Sequence, residues 1–371
     1  MFFTAGRAWC ELSWLLAEDG AFLLHLPNAR TLLEIIAVGD LCHSSSQIPL
    51  RGALRGVRYV VNAFVASAGN PAARPSTLTR FADRAVAAAS AIAGAAGAPG
   101  SSVVRLVHIG SDTAVFDPRS GAPERDGEIE LDETCWYDVT DESRKFTEGE
   151  AFGSTAAEML LWAGAAGDRV PYSMCSVIPS IMMGPMITPA HASSPGHKLL
   201  IDYIAKAYAI PPIPTPIVDC RDVASCVGSL VTTREHICGR VLMMGESLSS
   251  GELVAECRTL YPGYPWPTRA MPRWAVGPGL AVPWRMSRKG IRARYGRHYA
   301  LSQQRAVGEV GVAFRETQET VRDTIDSLGD FGIVDLHARK SKWTGASARI
   351  SARLSSVDYD FTLRKAASGR V

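Results

Sequence analysis

The first half of the chain alternates short runs rich in valine, isoleucine and aromatic residues with stretches whose apolar residues recur in helical period. "LEIIAVGDL" (33–41), "VRYVVNAFVA" (57–66), "SVVRLVHIGSD" (102–112) and "PYSMCSVIPSIMMGP" (171–185) have the make-up of buried strands. Between them Leu78, Phe81, Ala85, Ala89 and Ile92 fall at steps of three or four, so 78–96 is expected to be an amphipathic helix whose alanine stripe can lie close to a sheet. Strands that alternate with helices pair in parallel, because each parallel pair needs a crossover long enough to hold a helix. The expected fold is therefore α/β, a doubly wound parallel sheet with helices on both faces. Ligands of such sheets sit beyond the carboxyl ends of the strands, which puts Gly6, Asp40, Val65, Ser111 and Pro179 on one rim.

The remaining segments are read the same way. "MFFTA" (1–5) is a first strand, "CELSWLLAEDG" (10–20) a helix ending near Gly20, and "AFLLHL" (21–26) a second strand. Residues 123–150 form an acidic loop, followed by "EGEAFGSTAAEMLLW" (148–162), a small polar start running into an apolar helix. Proline-rich "AYAIPPIPTPIVDCRDVA" cannot be one continuous helix, since proline lacks the amide donor and pushes its neighbour toward extended backbone. Ser249 and Glu252 make a capping box ahead of a helix with Leu253, Val254, Cys257 and Leu260 on one stripe, stopped by Pro262-Gly263. Val321, Ile325 and Leu328 define one face of a last helix, and 335–371 is a basic tail with few large apolar groups.

Charge narrows the partners. Across 371 residues, 39 lysines and arginines face 37 aspartates and glutamates, so no bulk field favours nucleic acid or an anionic membrane. A small-molecule ligand is the expectation, with a homodimer compatible. The eight cysteines contain no C-x-x-C pair and no histidine stands at metal-finger spacing, which points to a reduced, cytoplasmic setting without metal. The start "MFFTAGRAWCEL" lacks the pattern of a secretory signal, and "SVIPSIMMGPMI" and "WAVGPGLAVPW" are too broken by proline and glycine to span a membrane.

Ten fragments in order resemble one family. They are "VGDL" (38–41), "RGVRYVV" (55–61), "VRLVHIGSDTAVF" (104–116), "DETCWYDV" (132–139), "AEMLLW" (157–162), "SVIPSIMMGP" (176–185), "IVDCRDVA" (217–224), "GRVLMMGESLSSGEL" (239–253), "YPGYPWPTR" (261–269) and "GVAFRETQETVRDTIDSLGDFGIV" (311–334). Together they look like the extended short-chain dehydrogenase/reductases (NAD-dependent epimerase/dehydratase superfamily), nearest the dihydroflavonol reductase and cinnamoyl-CoA reductase group. The resemblance implies a Rossmann-type dinucleotide-binding domain over 1–185 with 215–245 returning to it, and a smaller substrate lobe over 186–214 and 246–334. It also implies NADP or NAD as cofactor and hydride transfer to a small-molecule carbonyl.

In that family a serine after the fifth strand orients the carbonyl, a tyrosine supplies the proton, and a lysine four residues on lowers the tyrosine pKa and holds the cofactor ribose. Ser111 resembles the serine. Anchoring on "AEMLLW" puts Glu150 at the tyrosine position and Ser154 at the lysine position; a slip of two residues puts Phe152 and Ala156 there. Tyr137 and Lys145, the tyrosine and lysine of the preceding loop, stand eight apart in reversed order. Of the family's glycine-rich opening only Gly6 remains, with Trp9 and Glu11 near the later glycines.

By the same resemblance Asp40 receives adenine, a strand-end aspartate that caps the following helix being the alternative, and Leu41, Val65, Pro179 and Ile181 line the cofactor. Asp219, Arg221 and Asp222 resemble a block that braces the lobe through ion pairs. Arg285, Arg288, Lys289, Arg292 and Arg294 form a basic stretch that suits a helix face or a phosphate-bearing substrate. His108, Met182, Met183 and Met186 read as core. Three functions are in play: a carbonyl reductase of weak or no activity, a catalytically silent binding or regulatory scaffold, and a sugar-nucleotide epimerase or hydroxysteroid dehydrogenase.

Overall fold

The computed structural model describes residues 2–4, 7–10, 33–36, 38, 40–64, 75–117, 119, 124–125, 128–167, 172–205, 209–233, 237–272, 274 and 295–335. Strands β1 (Phe2–Thr4), β2 (Arg7–Cys10) and β3 (Leu33–Ile35) are followed by α1 (Gln47–Ala53), β4 (Tyr59–Asn62), α2 (Pro75–Ala96) and β5 (Arg105–Ile109). Next come β6 (Glu124–Arg125), β7 (Glu128–Leu131), α3 (Gly149–Ala165), β8 (Ser173–Pro179), β9 (Ile181–Met183) and α4 (Pro195–Ala205). The chain continues with β10 (Pro214–Asp219), α5 (Cys220–Thr232), β11 (Gly239–Met243), β12 (Glu246–Ser249) and α6 (Ser250–Leu260). It ends with β13 (His298–Leu301), α7 (Gln304–Gly308) and α8 (Thr317–Asp330).

The main sheet runs β3, β2, β1, β4, β5, β8, β11. β4, β5, β8 and β11 are parallel, as the alternating pattern requires. The first strand departs from that expectation. β1 pairs antiparallel with both β2 and β4; toward β2 the reason is that Thr4 registers with Arg7 and only two residues link them. So short a link permits only an antiparallel return, whereas a parallel neighbour needs a crossover of about a dozen residues. "RAWC" is thus a strand where the reading expected the glycine turn and the start of a helix. The rest of that expected helix, the "AFLLHL" strand, Gly6, Val65, the 285–294 basic stretch and the 336–371 part of the tail lie outside the described residues.

Other boundaries also move. The third strand stops at Ile35, and Asp40 lies in the turn that leads to α1. The acidic loop holds β6 and β7, which join β13 in a separate three-stranded sheet, and a helical turn at Glu142–Phe146. The 171–185 run is two strands, since the chain turns at Ser180: β8 stays in the main sheet, while β9 pairs with β10 beside β12.

The alanine stripe of α2 packs against α3 as well as the sheet. A Cβ on Gly153 would sit 2.6 Å from Ala82 Cα, and one on Gly164 2.8 Å from Ala93 Cβ. Glycine on α3 opposite alanine on α2 lets the two backbones approach, and Leu161 is buried in the same cluster. The capping box of α6 forms as expected, with Ser249 Oγ accepting from the Glu252 amide at 3.2 Å and Glu252 Oε2 accepting from the Ser249 amide at 2.7 Å. Leu253, Val254 and Cys257 of α6 meet Val321, Ile325 and Leu328 of α8 in one cluster with Trp266. Full burial of each such aliphatic side chain contributes about 2 kcal/mol. Met183 and Met186 are core, but Met182 is 38% exposed, because the residues of β9 alternate faces. Among the described residues no helix is long and apolar enough to cross a membrane.

Candidate functional site

β4, β5, β8 and β11 end at one rim, and β5 delivers Ser111 there. Its extended backbone caps a helical turn at Asp112–Ala114, with Ser111 Oγ accepting from the Thr113 amide at 3.3 Å and from Thr113 Oγ1 at 3.0 Å. Ser111 is half-buried, so the hydroxyl stays within reach of a ligand.

α3 supplies the second wall. Glu150, Ser154 and Glu158 stand four apart and share one side of the helix. Glu150 and Ser154 are half-buried, whereas Glu158 is fully buried and pairs with Arg240 of β11 at 3.0 Å (Nε to Oε1) and 3.2 Å (Nη2 to Oε2). Arg240 also donates to Ala114 O at 3.4 Å and Cys135 O at 2.5 Å, and its guanidinium lies 3.7 Å over the Trp136 ring. One arginine therefore joins the last strand, the helix carrying Glu150 and Ser154, and the turn carrying Ser111.

Phe152 is buried in a cluster with Ala82 and Tyr137, and Ala156 packs against that cluster.

Tyr137 and Lys145 do not meet. Tyr137 is buried, its hydroxyl donates to Glu148 Oε2 at 2.6 Å, and the Arg144 guanidinium lies 3.9 Å over its ring. Burial and then the Glu148 carboxylate push the Tyr137 pKa far above its ordinary value, so it holds its proton. Lys145 pairs with Asp83 on α2. Arg144 is fully buried and donates to both Asp117 oxygens at 2.7 and 2.8 Å, to Glu148 at 2.9 Å and to Asp138 O at 3.1 Å.

His108 sits within the sheet behind Ser111, buried as expected. Asn62 Nδ2 donates to His108 Nδ1 at 3.1 Å, and burial lowers the imidazole pKa against the pull of the Glu158 charge. Ser180, just past β8, is buried, and its hydroxyl has no hydrogen-bond partner among the described residues. Pro179 ends β8 and is buried, and Ile181 is half-buried in β9.

Asp40 is already engaged. Its oxygens accept from Arg84 of α2 at 3.0 and 3.2 Å and from the Cys42 amide at 3.0 Å. Burial raises the Asp40 pKa, but the Cys42 amide and Arg84 outweigh it and the carboxyl stays below its ordinary value. Leu41 beside it is core.

The block at Asp219 is a brace, as its sequence suggested. Asp219 accepts from Arg221 at 2.7 and 2.9 Å and from Thr320 of α8 at 2.9 Å, while Arg221 reaches Asp323 at 2.7 Å and Arg315 pairs with Asp222. A separate groove of about 210 Å³ lies between α6 and residues 267–270, lined by Ile210, Val254, Arg258 and Thr268 among others. None of the rim residues named above lines it.

A scan against protein-family profiles finds no match. Among curated proteins, the chain is 28% identical over 211 residues to cinnamoyl-CoA reductase 1 of Arabidopsis thaliana, covering 57% of this chain and 54% of that protein. It is 31% identical over 192 residues to cinnamoyl-CoA reductase 1 of Oryza sativa subsp. japonica, covering 50% and 53%. The chain is thus similar in sequence to cinnamoyl-CoA reductases over about half of its length. It spans about half the length of the curated relatives it matches.

The fold agrees with solved structures over most of the chain's length. The yeast methylglyoxal/isovaleraldehyde reductase Gre2, complexed with NADPH, superposes with a TM-score of 0.67 at 18% identity, covering 88% of this chain and 92% of that one. Vestitone reductase from alfalfa (Medicago sativa) superposes with a TM-score of 0.62 at 18% identity, covering 88% and 91%. The Rossmann-type expectation holds at the level of fold.

A dinucleotide does not fit the described residues in the family's manner. β1 leads into β2 rather than into a helix, Asp40 is spent on Arg84, and the two α3 positions carry no phenol and no ammonium. The residues that sequence reasoning missed are Arg144, Asp117, Glu148 and the Glu158–Arg240 pair. Glu158 and Arg240 stood inside the resembling fragments "AEMLLW" and "GRVLMM", but nothing local showed that they touch.

Proposed function

We propose that this reductase relative keeps the scaffold without tyrosine–lysine carbonyl reduction, and acts as a binding or regulatory protein for a small molecule held at the rim. What supports the reading is that the two α3 positions hold Glu150 and Ser154, while the nearby phenol, Tyr137, has its hydroxyl bound to Glu148. A carboxylate and a hydroxyl cannot reproduce a phenol activated by an ammonium, and losing either partner of such a unit typically costs orders of magnitude in rate.

A second reading, residual carbonyl reduction, is favoured by Ser111, which stands at the turn after β5 where the family's serine stands. The two are separated by following NADPH oxidation with a panel of aromatic and aliphatic aldehydes. Absence of turnover above a heat-treated control supports the first reading. Turnover that disappears in Ser111→Ala establishes the second.

A further inference from the structure

We infer that this chain closes the rim to dinucleotides through its backbone and its ion pairs, and not merely through the loss of two side chains on α3; the inference rests on the silent-scaffold reading above. A diphosphate is held by amides at the start of a helix that follows a strand through a glycine turn. Here β1 runs antiparallel to β4, with Phe2 opposite Val60 and Phe3 opposite Tyr59. Thr4 and Arg7 therefore stand at the edge where β4 begins, opposite the rim, and the one glycine left from the family's opening lies between them in sequence. The strand of this pair that does end at the rim side is β2. It is followed by Glu11, Leu12, Ser13 and Trp14, with no glycine before Gly20.

Charge acts in the same direction. Four cations near the rim are committed to carboxylates: Arg84 to Asp40, Arg144 to Asp117 and Glu148, Lys145 to Asp83, and Arg240 to Glu158. The stretches bordering Ser111, residues 62–64, 110–116, 147–154 and 179–184, contain no lysine or arginine, and they carry Asp112, Glu148 and Glu150. A ligand with several phosphate charges would face carboxylates here, and the arginines nearest Ser111 could meet it only by leaving an existing pair.

The test is calorimetric titration of the full chain with NADPH, NADH and inorganic pyrophosphate, with circular dichroism to verify the fold. No saturable heat is expected with any of them. The variant E150Y/S154K, which restores the phenol and the ammonium, is also expected not to bind. Saturable binding of NADPH, NADH or pyrophosphate at micromolar level overturns the inference, and so does binding by the restored variant alone, which would trace exclusion to two side chains. NADPH binding without turnover leaves the proposed function standing while this inference falls; NADPH-dependent turnover removes both.

Discussion

Glu158 and Arg240, 82 residues apart, form a two-pronged buried ion pair at 3.0 and 3.2 Å. Because Arg240 also holds Ala114 O, the pair sets how α3 lies against the turn that carries Ser111. Removing the cation leaves Glu158 charged in a place with no exposure. Arg240→Met is expected to destabilise the protein by about 3–5 kcal/mol, as for other uncompensated buried charges. The double variant R240M/E158L should recover part of that loss, because it removes both charges. Urea unfolding of the three proteins checks this, and a single variant as stable as the parent would refute the role given to the pair.

Stability should fall in acid through Asp117. Burial raises its pKa, but hydrogen bonds from Arg144 and from the Arg119 and Asp138 amides outweigh that and hold it below the ordinary carboxylate value. A depressed folded-state pKa gives stability that is present above the unfolded value, about 4, and lost as pH drops through the folded one. Denaturant midpoints measured from pH 6 down to pH 3 should therefore decline, more steeply below about pH 4. Asp117→Asn should flatten that part of the profile; an unchanged slope would remove Asp117 from the account.

The α2–α3 contact tolerates no added carbon at Gly153. Alanine is a better helix former by about 1 kcal/mol, so on propensity alone Gly153→Ala would stabilise. The new methyl would stand 2.6 Å from Ala82 Cα, a backbone atom that cannot swing aside. Overpacking of this kind costs about 1–3 kcal/mol, so a lowered thermal midpoint is expected. A raised midpoint would show that the helices separate freely.

Thr320 ties α8 to the end of β10 by donating to Asp219 Oδ2 at 2.9 Å, and both residues are buried. Thr320→Val keeps the shape and removes the donor, at an expected cost of about 1–2 kcal/mol. Asp219 retains Arg221, which limits the damage. Differential scanning calorimetry measures the loss, and a cost near that of breaking a buried ion pair would mean that Thr320 does more than this bond.

Local pattern was enough to read the α2 helix, the capping box of α6 and the Val321, Ile325 and Leu328 face of α8, because each is a property of residues within a few turns of one another. It also located Ser111 after a strand and Glu150 with Ser154 on a helix. It did not show that the 171–185 run splits at Ser180 between two sheets, since both halves are equally apolar and strand partners are chosen by distant segments. Nor did it show β2, where four residues become a strand only by pairing with β1 and β3.

By itself, the order of strand-like and helix-like segments determined an α/β sheet whose central strands run parallel and end at one rim, because periodicity and chain connectivity allow little else. The tertiary structure alone decided what occupies that rim. Arg144 reaches Asp117 from 27 positions away and Arg84 reaches Asp40 from 44, so which charges are spent and which remain for a ligand depends on contacts that no local stretch encodes.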